Sequence, residues 1–216
     1  MTLMFLIFMA AFFLTAGTFK YWQGWVFLIV SFGASLFMAA YFHRNDPGLL
    51  KRRMETHEKE AEQRLFRRLF VPIWIAGLAV PGFDYRFGWS SAVLGRVPLW
   101  LALIAQVLVV CGYLLIFQVL KVNSFASSTI QVETGQKVIS TGPYRLVRHP
   151  MYSAFLLVLV ATPLALGSYI AFPVFALLIP LLVFRAVNEE KLLRRQLPGY
   201  ADYCLRTRFR LVPFIL

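Results

Sequence analysis

Charge is what this chain has least of. Only 15% of its 216 residues are charged, against about 25% in an ordinary soluble domain. So little polar surface cannot face water on every side, which excludes a water-soluble globule and points to lipid as the solvent. Cysteine is nearly absent too. Cys111 lies in an apolar stretch and Cys204 near the carboxy terminus, which gives no basis for a disulfide framework or a thiolate metal site. His43 and His57 have no cysteine or second histidine at ligand spacing, so no metal is expected. Acidic residues number 10 against 22 basic ones, a net charge of +12. In a soluble protein that excess suits nucleic acid. Here the charges flank apolar runs, as membrane topology alone demands, so no nucleic-acid partner is expected. Membrane lipids are the expected partners, with part of the excess placed to meet anionic headgroups.

What is abundant is apolar: 59% hydrophobic residues, including 21 phenylalanines. A helix that crosses a hydrocarbon layer about 30 Å thick needs roughly 20 mainly apolar residues at about 1.5 Å each. Six stretches approach this: Thr2 to Phe19, Trp22 to Phe42, Leu69 to Phe83, Val97 to Val119, Met151 to Leu166 and Tyr169 to Val187. Lys20 and Tyr21 join the first two as a tight hairpin, and Gly167 and Ser168 join the last two. Leu69 to Phe83 is shorter and holds Pro72 and Pro81. Pro163, Pro173 and Pro180 are expected to kink the final hairpin. The pattern predicts an all-α integral membrane protein of about six transmembrane helices with a carboxy-terminal helical hairpin. A cleaved signal is the rival reading of the apolar start, but no basic residue precedes it and no small-x-small site follows.

Basic residues set the expected orientation, because positively charged loops stay in the cytoplasm. His43 to Arg68 holds eight Lys and Arg, Lys121 to Arg148 four, and the chain from Arg185 onward seven, against Lys20, Arg86 and Arg96 elsewhere. Six spans with both termini cytoplasmic put the three rich segments on one face. The expected location is a cytoplasmic membrane. Residues 1–122 then read as an amino-terminal four-helix membrane region with a basic connector over 43–68. Asp46 to Phe70 mixes charge with Leu49, Leu50, Met54 and Phe66, the pattern of a helical connector near the membrane surface. Residues 123–216 read as a second region of loop, hairpin and tail.

Between the fourth and fifth spans, Asn123 to Pro150 is longer than a plain connection, and long ordered loops usually serve a function. Pro150 suits the first turn of a helix, where its missing amide hydrogen is not needed. Arg148 and His149 then stand at the mouth of the fifth span beside free amide groups. A histidine at a helix start is also compatible with a purely structural role. Glu189 and Glu190 are adjacent on a helix, so they point about 100° apart and only one aims into the bundle. Arg185 and Glu189 lie four apart and share a face, as a ligand site or as an ordinary ion pair. Pro198-Gly199 ends that helix, and the aromatic and basic residues after it suit an interfacial amphipathic helix, a pocket cover or a plain anchor.

The ordered set Gly142-Pro143-Tyr144, Arg148-His149-Pro150-Met151-Tyr152, a helical hairpin, Glu189-Glu190 and Pro198-Gly199-Tyr200 with Tyr203 resembles the isoprenylcysteine carboxyl methyltransferase family and its bacterial relatives. Phospholipid N-methyltransferases share the plan, and the resemblance covers roughly residues 120 to 216. It implies a methyltransferase that uses S-adenosylmethionine at the cytoplasmic face on a lipophilic acceptor: an isoprenylcysteine-like carboxylate, a thiol or a lipid amine. It implies that Lys137, Val138, Ile139, Gly142, Tyr144, His149, Pro150, Tyr152, Glu189 and Glu190 line the S-adenosylmethionine site. It also implies that Arg148 and Arg185 orient the acceptor. Methyl transfer from a sulfonium is an in-line displacement, which asks chiefly for positioning and exclusion of water. Membrane sterol reductases, which use NADPH, resemble the same tail through its Arg-His-Pro motif, and a shared fold does not fix chemistry. A transport or assembly role would call for polar residues in mid-span, and Gln106 is the clearest of few.

Overall fold

The computed structural model describes residues 2–54, 61–133 and 135–215, and among them no strand occurs. Ten α-helices follow one another: α1 (Thr2–Met9, continued by a π-helical turn, Ala10–Leu14), α2 (Trp22–Asn45), α3 (Pro47–Met54), α4 (Ala61–Phe87), α5 (Trp89–Val93), α6 (Leu99–Val122), α7 (Pro150–Ala165), α8 (Phe172–Ala176), α9 (Leu178–Gln196) and α10 (Tyr200–Arg206). Among the described residues four helical stretches are long and apolar enough to cross a membrane: Trp22–Asn45, Gln63–Phe87, Leu99–Val122 and Phe172–Gln196. The outward faces of α2 and α6 expose Ile29, Leu36, Phe37, Leu103, Ile104, Val107 and Leu108. Apolar side chains on the outside of a bundle are what a lipid solvent selects. The chain is an all-α membrane protein.

Two of the six expected spans fall short. Thr2–Leu14 and Pro150–Ala165 are apolar but shorter than a full crossing. The 16 residues of α7 rise about 24 Å at the usual pitch. The third span differs in the other direction. Instead of stopping near Leu69, α4 runs unbroken from Ala61 through both Pro72 and Pro81. Its charged first turns are built from good helix formers, Ala, Gln, Arg and Leu, so the end of the apolar run is not the end of the helix. The middle of the expected connector, Glu55 to Glu60 with His57, lies outside the described residues. In the last hairpin Pro163 is inside α7, whereas Pro173 and Pro180 occupy first turns of α8 and α9, where a missing amide hydrogen breaks no bond.

The chain forms two compact units, each assembled from three segments. The first comprises Met1–Leu36, Arg68–Tyr113 and Leu156–Pro180. Its centre is aromatic: Phe8 meets Phe12, Phe32 and Trp74 edge to face at 5.2 to 5.7 Å. Gly82 is needed here, because a Cβ would stand 2.9 Å from the carbonyl oxygen of Phe12. The turn after α7 has irregular backbone that must be satisfied away from water. Tyr21 Oη donates to the Leu166 carbonyl at 2.5 Å and Gln106 Nε2 to that of Ala165 at 3.0 Å. Ser90 Oγ donates to the Asp84 carboxylate and accepts from the amides of Tyr169 at 2.9 Å and Ile170 at 3.2 Å.

The second unit comprises Phe37–Arg67, Leu114–Phe155 and Leu181–Leu216. Tyr41, Phe42 and Phe117 pack together with ring centroids 5.0 to 5.8 Å apart. The loop after α6 carries little secondary structure, so its carbonyls need other partners, and α3 supplies them. Arg52 Nε donates to the Ser124 carbonyl at 2.9 Å and Arg53 Nη1 to that of Ser127 at 3.2 Å, while Ser128 Oγ returns a bond to Arg53 O at 2.5 Å. Leu197, Tyr200, Tyr203 and Cys204 form a buried cluster against which Val132, Val138, Tyr144 and Leu193 pack.

Candidate functional site

All of the groups below belong to the second unit. A single 3-10 turn, Gly142–Arg145, precedes α7. Gly142 has φ +57° and a Cβ there would meet Val122 Cγ2 at 3.1 Å, so both the left-handed backbone and the close approach call for glycine. Beyond the turn, the carbonyl of His149 accepts the amides of Tyr152 at 3.0 Å and Ser153 at 3.1 Å, and α7 begins at the buried Pro150. His149 therefore caps the helix, as its position before proline predicts. The carboxy-terminal segment lies along this entrance. The amides of Arg148 and His149 donate to the carbonyls of Phe209 and Arg210, both at 2.9 Å, and Ser153 Oγ donates to Leu211 O at 2.5 Å.

The two glutamates of α9 have different surroundings, as their angular separation requires. Glu190 Oε1 accepts Arg148 Nη1 at 2.7 Å and Arg194 Nε and Nη2 at 3.1 and 2.8 Å; Oε2 accepts Arg210 Nε at 3.0 Å. His149 Nε2 stands 3.8 Å from Glu190 Oε2, beyond hydrogen-bond reach. The Glu190 and Arg148 side chains are 4% and 9% exposed, whereas Arg194 and Arg210 are 44% and 39%. The energetic weight therefore falls on the buried pair, since exposed arms are screened by solvent. Glu189 Oε2 accepts the Tyr152 hydroxyl at 2.5 Å, and that hydroxyl accepts Arg185 Nε at 3.1 Å. Arg185 and Glu189 share a face with the Tyr152 oxygen between them. Arg185 also donates from Nη1 to Gln63 Oε1 at 3.2 Å and from Nη2 to Ser128 O at 2.8 Å, and its guanidinium lies 4.8 Å from the Phe66 ring centroid.

Tyr144 is half-buried. Its hydroxyl accepts Asn123 Nδ2 at 2.7 Å, and its carbonyl accepts the Tyr203 hydroxyl at 2.8 Å. Burial pushes the Tyr203 phenol up to about 12 and raises Tyr144 and Tyr200 as well, so all three keep their protons at neutral pH. Burial, with the neighbouring Arg185 cation assisting, lowers the Arg53 guanidinium from its ordinary value, against the opposite pull of Tyr152 and Tyr144. Of the other residues singled out from sequence, Val138 packs on the Tyr203 cluster. Lys137 is exposed and Ile139 half-buried on the same extended stretch. The structure thus brings together Arg148, His149, Pro150, Tyr152, Arg185, Glu189 and Glu190, and sets Lys137 and Ile139 on the approach from Gly135 to Gly142. The Nε of Arg148 and Nε2 of His149 are buried with no hydrogen-bond partner among the described residues. Together with the Glu189 carboxylate, they offer donors and acceptors to a polar ligand.

Residues 100–198 match the family model for phospholipid methyltransferases. This segment, just under half of the chain, is similar to phospholipid methyltransferase domains, in keeping with the motif order. A curated relative is the Delta(14)-sterol reductase TM7SF2 of Mus musculus, 32% identical over 90 residues, which are 40% of this chain and 22% of the reductase. The chain therefore spans about a fifth of the length of that relative. The matched segment encloses Arg148, His149, Tyr152, Arg185, Glu189, Glu190 and Arg194, and leaves outside it Arg53, Gln63 and Arg210.

Those last three, with Arg194 and Ser128, were not singled out from sequence. Two had a readable signal. Leu49 is 1% exposed, and Arg53, four residues on, shares its face of α3. Gln63 stands three residues before the buried Phe66 on α4, again on the inward side. Arg210 had none, because its contact with Glu190 exists only once the carboxy-terminal segment has folded back.

Proposed function

We propose that the protein is an S-adenosylmethionine-dependent methyltransferase that modifies a lipophilic acceptor at the cytoplasmic face of the membrane. The observation that carries this reading is the segment similar to phospholipid methyltransferase domains, which encloses the Arg185, Tyr152 and Glu189 chain. S-adenosylmethionine supplies an electrophilic methyl group on a sulfonium. Glu189 holds the ligand's ammonium, because its second oxygen has no protein donor among the described residues and Tyr152 fixes the first. Glu190 is occupied by three arginines and fixes Arg148 in place. His149 Nε2 and Arg148 Nε, buried and unpartnered, face the polar part of the ligand. The 19 to 3 division of basic residues supports the cytoplasmic assignment, and the buried aromatic surroundings exclude water from the transfer.

A second reading, an NADPH-dependent reductase, is favoured by the 32% identity to the sterol reductase over 90 residues. One titration separates the two. Purified protein in lipid nanodiscs is titrated with S-adenosylmethionine, S-adenosylhomocysteine and NADPH, as wild type, Glu189→Gln and Glu190→Gln. The expected outcome is binding of both methionine-derived ligands, weakened about tenfold or more by Glu189→Gln, the loss of one charge-assisted contact. Binding of NADPH alone would sink the methyltransferase reading. An unchanged affinity in Glu189→Gln would sink its site assignment. Transfer of labelled methyl into a membrane lipid extract then reports the acceptor.

A further inference from the structure

Helix α10 and the turn before α7 enclose a cavity of about 210 Å³, far above the 10–15 Å³ or so that one water needs. Ser140, Arg145, Tyr203, Arg206 and Thr207 line it. Tyr203 and Arg206 are three apart on α10 and Thr207 is its cap, so one face of the helix supplies three of the five. Arg145 ends the 3-10 turn over Gly142–Arg145, and Ser140 stands just before that turn. The floor is buried: Tyr203 is 1% and Thr207 6% exposed. The Tyr203 hydroxyl is committed to the Tyr144 carbonyl at 2.8 Å. Thr207 Oγ1 reaches the same carbonyl only at 3.5 Å, a length at which the bond is weak, so it is available to a ligand.

The rim is different. Ser140, Arg145 and Arg206 are exposed, and among the described residues neither arginine makes a side-chain hydrogen bond, an ion pair or a ring contact. Asp202 stands four residues before Arg206 on α10, the favourable order for a helical pair, yet no ion pair joins the two. One cavity is thus lined by two cations without a countercharge and by the hydroxyls of Ser140 and Thr207. A phosphate group is the chemistry such a set fits, since an arginine fork grips two of its oxygens and hydroxyls take the others. Apolar side chains flank both arginines. Leu146 follows Arg145 and is 67% exposed, and Leu205 precedes Arg206 and is 78% exposed. A soluble phosphate has no use for these leucines, whereas the acyl chains of a lipid do. The turn and the tail belong to the unit that holds the carboxy-terminal ends of α2, α6 and α9, where long apolar helices meet headgroups.

We propose that Arg145 and Arg206, with Ser140 and Thr207, bind the phosphate of an anionic phospholipid headgroup. The bound phosphate bridges α10 to the turn that leads into α7, and so reinforces the joint between Tyr203 and Tyr144. Neither Tyr152, Glu189 nor Glu190 lines the cavity, so the site goes beyond the methyl-transfer reading and stands whether or not that reading holds.

The test titrates the full chain in dodecyl maltoside micelles with dioleoyl phosphatidylglycerol or with the zwitterionic dioleoyl phosphatidylcholine, and counts bound lipid by native mass spectrometry. An arginine beside an anionic headgroup contributes about fivefold. Wild type is therefore expected to prefer phosphatidylglycerol by about tenfold or more, and Arg145→Gln and Arg206→Gln each to lower that preference about fivefold. Arg195→Gln, at an exposed arginine of α9 outside the cavity, should leave it within about twofold. An equal loss in all three variants means diffuse attraction to a basic surface and overturns the site, as does a wild type without a preference. Inorganic phosphate, set against sodium chloride of equal ionic strength, should not displace the lipid at equal concentration. Displacement there assigns the cavity to a soluble phosphate and overturns the lipid assignment. A measurement on wild type guards against a variant that does not fold. Phenylglyoxal modification, mapped by mass spectrometry, should be slowed at Arg145 and Arg206 by phosphatidylglycerol and not by phosphatidylcholine, with Arg195 unchanged. Equal rates at Arg145 and Arg206 with either lipid overturn the proposal.

Discussion

Replacing Glu190 by glutamine removes one negative charge from beneath three arginines, and the loss can be worked from their exposure. The Arg148 pair is buried on both sides, 4% and 9% exposed at 2.7 Å. Removing one partner of such a pair costs about 3–5 kcal/mol, because the other charge is left without compensation. Glutamine keeps an oxygen that can still accept one N–H, and Arg148 Nη2 retains the Arg208 carbonyl at 3.1 Å, which puts the variant at the low end. Arg194 and Arg210 are 44% and 39% exposed, so each adds about 0.2–1 kcal/mol. The expected destabilisation is about 4 kcal/mol. Glu189→Gln keeps an acceptor for Tyr152 and should lose about 1 kcal/mol or less.

The assay is equilibrium unfolding in mixed micelles with sodium dodecyl sulfate, combined with trypsin digestion. Arg210 ties the carboxy-terminal segment to Glu190, so cleavage after Arg206, Arg208 and Arg210 should accelerate in Glu190→Gln and not in Glu189→Gln. Adding Arg148→Met supplies the internal check. If a stranded Arg148 is the source of the cost, the double variant should be less destabilised than the sum of the singles, by about 1–2 kcal/mol. A Glu190→Gln protein within about 0.5 kcal/mol of wild type, or strict additivity with Arg148→Met, would refute the assignment of Glu190 as a structural tie.

Two other consequences can be measured. Ser90→Ala should destabilise the first unit by about 2–3 kcal/mol, because Asp84 loses a donor and the amides of Tyr169 and Ile170 lose their acceptor, all away from water; hydrogen exchange at Tyr169 and Ile170 should accelerate, and an unchanged rate would contradict the arrangement. The raised phenol of Tyr203 makes a contribution to stability that is fully present below about pH 10, the unfolded value. It is lost as pH rises through the folded value of about 12, since the folded state then has to surrender a proton it holds more tightly. Wild-type stability should therefore fall between those values, and Tyr203→Phe, lower by about 1 kcal/mol at neutral pH, should show a smaller fall. Parallel curves would mean that Tyr203 is not the group responsible.

The apolar helices were legible because a run of apolar residues and the length of a helix needed to cross lipid obey the same arithmetic. Their ends were not. α4 continues for several residues on the amino-terminal side of its apolar run, because Gln63, Arg64 and Leu65 favour helix whatever their polarity. The entrance to α7 was legible from Pro150, whose backbone restriction is local. The split between Glu189 and Glu190 was legible as an angle but not as an assignment. Arg194, four residues on, could be foreseen as a partner of Glu190, whereas Arg148 and Arg210 reach it across 42 and 20 residues.

The same distinction bears on which parts of the cluster a family match can reach. Motif order locates groups held within the hairpin and the loop before it, and the matched segment, residues 100–198, covers that part of the chain. Arg53 and Gln63 precede the segment and Arg210 follows it, yet each touches a group that the motifs define or the loop that carries one. The cluster is thus held on α7 and α9 while further contacts come from α3, from the start of α4 and from the tail, so an alignment over Arg148 to Glu190 reaches only part of its lining.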